Sequence, residues 1–313
     1  MLTRYLSLIA IWGGSFLFIK IGLEVLAPLQ LALGRMAFGT AVLLVMTVVG
    51  RVPLPREPRL WAHLAIAATL LNSVPFVLFA YAEQRIPSAI ASICNATTPL
   101  FTLVIALIAL PDERPTPRRG LGLALGFAGV VVVLGLGRAG VGRPDLLGVL
   151  LGLVAAVLYA LGGVYLRRHL SATPYSALAL STVQLFIGTV QLAIITPLAT
   201  DMPAHLPVHV VLAMLALGAL GTGIAYVLQY GLIRIAGATL TSTVTYCLPV
   251  VSIGLGVVVL GEHVAWNAPI GAAIIIVGAA MSRSRRRTLP GPRLGGVTAA
   301  APAAQASWIR GLG

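Results

Sequence analysis

The chain alternates long apolar runs with short polar interruptions, and the runs exceed what the core helices of a soluble domain require. A helix that crosses about 30 Å of hydrocarbon at 1.5 Å per residue needs about 20 predominantly apolar residues. Such stretches recur near 5–24, 29–50, 61–82, 87–110, 119–137, 145–166, 175–197, 208–232, 237–260 and 265–281. Turn-forming residues mark their ends: Pro28, the cluster Pro53, Pro55 and Pro58, Pro87, the run from Pro111 to Pro117, Pro144, Pro174, Pro203, Pro207 and Gly261. The first run follows Arg4 and ends on no small-x-small cleavage site, so it reads as an uncleaved first helix. The pattern predicts an all-α integral membrane protein with ten transmembrane helices in a lipid bilayer.

Composition narrows the class further. Of 313 residues, 58% are hydrophobic and 9% charged, where soluble domains carry about a quarter charged. Both a soluble globular domain and a disordered chain are excluded. A net charge of +13 would point to nucleic acid in a soluble protein, but 20 of the 21 basic residues are Arg, placed mainly between apolar runs, and aromatics reach only 6%. They serve as topology marks, and no nucleic-acid partner is expected. With the N terminus inside, 16 basic residues fall on the cytosolic side and three, Arg85, Arg138 and Arg143, outside, which places both termini in the cytosol. Residues 282–313 turn basic and then Ala/Gly/Pro-rich, predicting a disordered cytosolic tail. Cys94 and Cys247 lie in apolar runs, where neither a disulfide framework nor a CxxC pair can form.

Residues 81–130 overlay 230–279 at a shift of 149 or 150. Tyr81 meets Tyr230, Arg85 meets Arg234, Ala89 meets Ala238, Pro99 meets Pro249, Gly122 meets Gly271 and Gly129 meets Gly278. A weaker match at 147 pairs Trp12 with Tyr159 and Lys20 with Arg167. Five helices per half is an odd number, so the second half enters the membrane the opposite way up. Two inverted five-helix repeats, 1–137 and 145–281, are a feature of secondary transporters with a substrate site at the midplane between the halves.

These residues carry a resemblance. Trp12-Gly13-Gly14-Ser15-Phe16 followed by Lys20-Ile21-Gly22, then Pro28, Arg35 and Ala89 to Pro99, with Ala238 to Pro249, Leu260-Gly261-Glu262, Gly271 and Ile276-Val277-Gly278 in the second half, resemble the EamA-like exporters of the drug/metabolite transporter superfamily. The resemblance covers about 1–281. It implies a ten-helix carrier of the bacterial inner membrane that exports amino acids or related small metabolites without a bound cofactor. Small multidrug exchangers of the same superfamily use an acidic residue in the first helix. Trp12 to Phe18 contains none, which argues against proton-coupled export of lipophilic cations.

Candidate binding residues are polar or aromatic groups at bilayer depth. Lys20 and Arg35 stand within spans, where a charge costs about 2.5–3.5 kcal/mol on insertion scales, and suit the carboxylate of an anionic or zwitterionic substrate. Trp12, Ser15, Asn95, Thr98, Tyr159, Tyr226, Gln229 and Tyr246 supply cavity walls and hydrogen bonds, with Asn72 and Gln184 as deeper polar groups. Pro99 and Pro249 each remove a backbone hydrogen bond at matching repeat positions and are expected to break their helices beside the site. No Asp or Glu falls in the middle of a run; Glu24, Glu83 and Glu262 stand at ends, so no carboxylate presents itself as a proton relay. The pairs Gly122/Gly126 and Gly148/Gly152 are assigned to packing within the bundle, with a homodimer face left open.

Enzyme classes find no footing. All five His lie in loops or at span ends, and neither HExxH, a metal site nor a Walker A loop is present. An uptake carrier, or a carrier of drugs, nucleobases or sugar derivatives, remains the alternative with the same fold.

Overall fold

The computed structural model describes residues 1–109, 116–133, 145–171, 173–201, 203, 205–241 and 244–281, and every regular element among them is a helix. The tail 282–313, the segment holding Arg138 and Arg143, and Arg114 lie outside the described residues. In chain order the helices are α1 (Leu2–Gly22), α2 (Pro28–Val49), α3 (Pro58–Glu83), α4 (Ser88–Ala96, resuming at Thr98–Ala109), α5 (Pro117–Val133), α6 (Leu146–His169) and α7 (Ala177–Ala199). They are followed by α8 (Val208–Leu215, continuing through Ala216–Ile224 into Ala225–Thr241), α9 (Val244–Leu260) and α10 (Asn267–Met281). Seven of these, α1 to α4 and α6 to α8, are long and apolar enough to cross a membrane; α9 and α10 are shorter apolar helices. All-helical structure is what lipid demands, because a helix satisfies its backbone polar groups within one segment.

The side-chain distribution inverts that of a soluble bundle. Large apolar residues such as Val48, Val49, Ile108, Leu198 and Val258 point outward, while Ala67, Ala68, Ala82, Ala89, Ala155 and Ala160 are fully buried. Small residues let helices approach closely where no hydrophobic effect drives them together. At α5 against α10 the approach reaches its limit: a Cβ on Gly278 would fall 2.4 Å from the Gly126 amide nitrogen and 2.5 Å from the Gly122 carbonyl oxygen. Across the same seam a Cβ on Gly129 would fall 2.8 Å from the Gly271 carbonyl. Gly148 and Gly152 likewise face Ile86 and Cys94 within the bundle, so both glycine pairs singled out in the sequence serve internal packing.

Between α2 and α7, hydroxyls take the place of apolar contact. Thr40 and Thr189, 149 residues apart, lie 2.8 Å from each other, as do Thr47 and Thr182. Gly39 of α2 abuts Thr222 of α8, and Gly188 of α7 abuts Ser73 of α3. The residues of the two contacts fall at one spacing, Gly39 to Gly188 and Ser73 to Thr222 each being 149 positions.

Two segments depart from α-helical geometry. Thr69–Ser73 in α3 and Ala216–Ile224 in α8 are wound as π-helix. Such turns widen a helix by one residue and are frequent at functional sites.

The bundle has two distinct ends. At one, Arg4 packs against Gly231, and the Ser181 and Tyr230 hydroxyls bond each other. At the other, Glu24 meets His209 at 3.0 Å and Arg85 meets Asp145 at 3.2 Å. Asp145 also caps α6 by accepting from the Leu147 and Gly148 amides. The Gly148 amide, with the Arg85 guanidinium and the Leu147 amide, holds that carboxyl below its ordinary range. Glu262, in the segment after α9, accepts from Ser88 N at 2.8 Å, Ser88 Oγ at 2.9 Å and Ala89 N at 3.4 Å, and so caps the N terminus of α4 from the other half of the chain.

Candidate functional site

The π segments and the interruption of α4 converge on one internal cavity of about 340 Å³. Proline explains the α4 side. Pro99 has no amide hydrogen, so the carbonyl of Asn95 loses its helical partner. Thr98 Oγ donates to that carbonyl at 2.7 Å, Thr97 Oγ donates to the Cys94 carbonyl at 2.6 Å, and the helix stops at Ala96 before resuming at Thr98. Asn95 and Thr98 thereby stand in the wall. Pro249 behaves differently from the expected break, since α9 runs through it from Val244 to Leu260. Of the threonines preceding it, Thr245 lines the cavity and Thr243 lies outside the described residues.

Eight of the ten side chains proposed from sequence meet here: Trp12, Ser15, Arg35, Asn95, Thr98, Tyr159, Tyr226 and Gln229. Tyr246 does not. It is 7% exposed and belongs to the apolar core with Ile90, Ile93 and Ala272, because its position on α9 turns it toward α4 rather than inward. Lys20 also stands away from the wall. Its Nζ donates to the carbonyl oxygens of Glu83 at 2.5 Å and Ile86 at 3.2 Å, groups that the end of α3 leaves without helical partners. Nor does Lys20 pair with Glu24, which is taken by His209.

Among the described wall residues, Arg35 is the one lysine or arginine. Its Nε donates to Thr222 Oγ at 3.0 Å, and its guanidinium carbon lies 3.8 Å from the centroid of the Phe76 ring. Those two contacts fix the plane of the group. The terminal nitrogens donate to no described residue, leaving the fork that binds a carboxylate in two parallel bonds.

Hydrogen bonds and rings hold the other walls. Trp12 Nε1 donates to the carbonyl of Gly221 in the π segment of α8 at 3.1 Å. Asn72, fully buried in the π segment of α3, donates to the Tyr226 hydroxyl at 2.7 Å and accepts from Gln184 at 2.6 Å. Phe79 joins Phe16 edge-to-face and Tyr159 in a stack, each at 5.9 Å between centroids. Replacing Asn72 with Leu strands the Gln184 amide and the Tyr226 hydroxyl, and is expected to cost about 1–3 kcal/mol. Thermal unfolding in detergent measures it; an unchanged midpoint would mean that water or another group satisfies both.

The sequence left part of the wall unread. Phe16, Ile19, Leu71, Phe76, Phe79 and Leu248 line the cavity, yet an apolar residue in an apolar run carries no local mark of facing inward. Tyr230 lines the cavity and bonds Ser181, whereas Tyr81, which meets it in the sequence overlay, is 38% exposed. Glu83, read as a span-end residue, is fully buried because α6 and α2 pack against the C-terminal part of α3.

A cavity with a cationic fork and aromatic walls, set in a bundle of membrane-length helices, defines a membrane carrier. The model of the EamA-like transporter family matches residues 5–135 and again 146–284, and the chain belongs to that family. It is similar to an uncharacterized inner membrane transporter, YedA, of Escherichia coli (strain K12), 31% identical over 82% of this chain and 81% of the relative. A probable terminal-alkyne amino-acid exporter of Streptantibioticus cattleyicolor is 27% identical over 90% of this chain and 95% of that protein. A protein of known crystal structure aligns with a TM-score of 0.63 at 25% identity, covering 90% of this chain and 95% of that one. This protein is a membrane transporter rather than an enzyme.

Proposed function

We propose that this transporter exports an amino acid or a related small metabolite from the bacterial cytosol by alternating access, binding the substrate carboxylate at Arg35. The observation that carries the reading is the cavity's charge pattern: a guanidinium with an open fork, aromatic rings and neutral hydrogen-bonding groups, with no Asp or Glu among the described wall residues. Such a site favours an acid over a lipophilic cation. The amino-acid exporter among the relatives points the same way.

The proposed architecture is ten spans in two inverted repeats, 1–137 and 145–281, with both termini cytosolic. Support comes from contacts between counterparts: Thr40 with Thr189, the glycines of α5 with those of α10, and the paired contacts of Gly39 and Gly188. Contacts of this kind are expected on and around a two-fold axis in the membrane plane. The π segments in the third helix of each half fit the same relation.

Counterflow in proteoliposomes tests the function. Vesicles are preloaded with a mixture of amino acids, nucleobases and other metabolites, and mass spectrometry identifies what exchanges. Saturable, protein-dependent exchange of an amino acid is expected. Exchange confined to nucleobases or to lipophilic cations would replace the proposed substrate class.

A further inference from the structure

Glu83 is 0% exposed, and neither of its carboxylate oxygens has a hydrogen-bond partner among the described residues. An ionisable group at membrane depth is costly to keep and marks a functional site when it lacks a structural partner. The Lys20 ammonium does not supply one: it donates to the main-chain carbonyls of Glu83 and Ile86 and to neither carboxylate oxygen. Its other charged neighbours are Arg35 from α2 and Glu262 from the segment after α9. The Glu262 carboxylate is itself occupied by Ser88 and Ala89 of α4. From α6, Tyr159 stacks on Phe79, and Asp145 at the start of that helix pairs with Arg85.

Glu83 is also adjacent to the cavity without lining it. Phe79, one helical turn earlier, stands in the wall, as does Ile19 beside Lys20. Arg35 stands between the two: it lines the cavity, and its guanidinium lies over Phe76, two helical turns before Glu83 on the same helix. Two nearby cations favour the anion, whereas full burial without a hydrogen-bond partner among the described residues favours the neutral acid. Which form is populated depends on what else draws on Arg35.

We propose that Glu83 is the proton-binding site of this carrier, and that a substrate acid and a proton bind together. This deepens the reading of Arg35 as the carboxylate anchor and rests on it. An anion seated on Arg35 repels a second anion close by, so substrate binding goes with transfer of a proton from water to a Glu83 oxygen. Linkage makes the effect reciprocal, and the acid binds more tightly as pH falls. In export the proton enters from the cytosol with the acid, is held as the Glu83 O–H and returns to water outside, so the outward gradient of the acid itself, not the proton gradient, drives the step. No other bond is made or broken.

Two measurements test this. The first needs no substrate: infrared spectra of wild type and Glu83→Gln in liposomes are compared across a pH titration. Wild type is expected to show a neutral-acid carbonyl band that titrates, is missing from Glu83→Gln and returns in Glu83→Asp. Identical titrating bands in wild type and Glu83→Gln would overturn the proposal. The second adds the amino acid identified by counterflow to weakly buffered protein and follows the pH of the medium. Wild type is expected to take up as much as about one proton per bound substrate, and Glu83→Gln none. Absence of uptake by wild type, or equal uptake by the variant, would overturn it. A purely structural Glu83 would change the unfolding temperature and leave both proton readouts untouched. Should counterflow find no amino acid, the substrate reading fails, while the infrared comparison still decides whether Glu83 binds a proton.

Discussion

Arg35→Gln is expected to lower counterflow of the substrate acid about 10- to 100-fold, the equivalent of losing one charge-assisted hydrogen-bonded contact of about 1.5–3 kcal/mol. The loss should fall on half-saturation more than on the maximal rate, because the fork binds substrate and takes no part in helix movement. Arg35→Lys is expected to recover only part of it. A lysine keeps the charge but has no planar fork, cannot reproduce the Nε bond to Thr222 and lies less well over Phe76. Monodisperse elution of each variant in detergent separates a binding defect from misfolding, since Thr222 retains a second partner in the Leu217 carbonyl. Wild-type half-saturation in well-folded Arg35→Gln would remove Arg35 from the site.

A second large effect is expected in stability. Gly278→Ala adds one carbon that would lie 2.4 Å from the Gly126 nitrogen and 2.5 Å from the Gly122 oxygen. Both are main-chain atoms of a packed helix and cannot step aside as the tip of a flexible side chain can. Helices α5 and α10 must separate, at a cost of about 1–3 kcal/mol or more. Gly254→Ala is the matched comparison, because a Cβ there meets nothing within 4 Å. Alanine is the better helix former by about 0.5–1 kcal/mol, so that variant should unfold no earlier than wild type. Equal midpoints for Gly278→Ala and wild type in a thermal unfolding series would mean that α5 and α10 do not approach this closely.

How far the sequence reached depended on the kind of interaction. Pro99 was legible as an interruption because the missing amide is a property of the residue itself, and the neighbouring threonines that compensate for it follow directly in the chain. The same reasoning misjudged Pro249, where α9 continues unbroken. Trp12, Arg35 and Tyr226 were legible as wall residues because a polar or aromatic group at bilayer depth has few acceptable places to go. Lys20 met that criterion too and went elsewhere. Its reach of several ångströms brought it to the carbonyls at the end of α3, a partner 63 residues away.

What the sequence determined by itself is what lipid enforces on each segment alone: long apolar helices and the turns that separate them. Family membership was legible for a related reason, since motifs such as Trp12 to Phe16 and Leu260 to Glu262 are local strings. Only the tertiary structure decided which face of each helix turns inward, and with it the role of Phe76 beneath Arg35, the loss of Tyr246 to the core and the burial of Glu83. Linear position fixes which helix, and which turn of it, carries a residue, whereas burial depends on the helices that close around it laterally. Those contacts join residues far apart in the chain, as Ser88 and Glu262 are joined across 174 positions, and no local pattern records them.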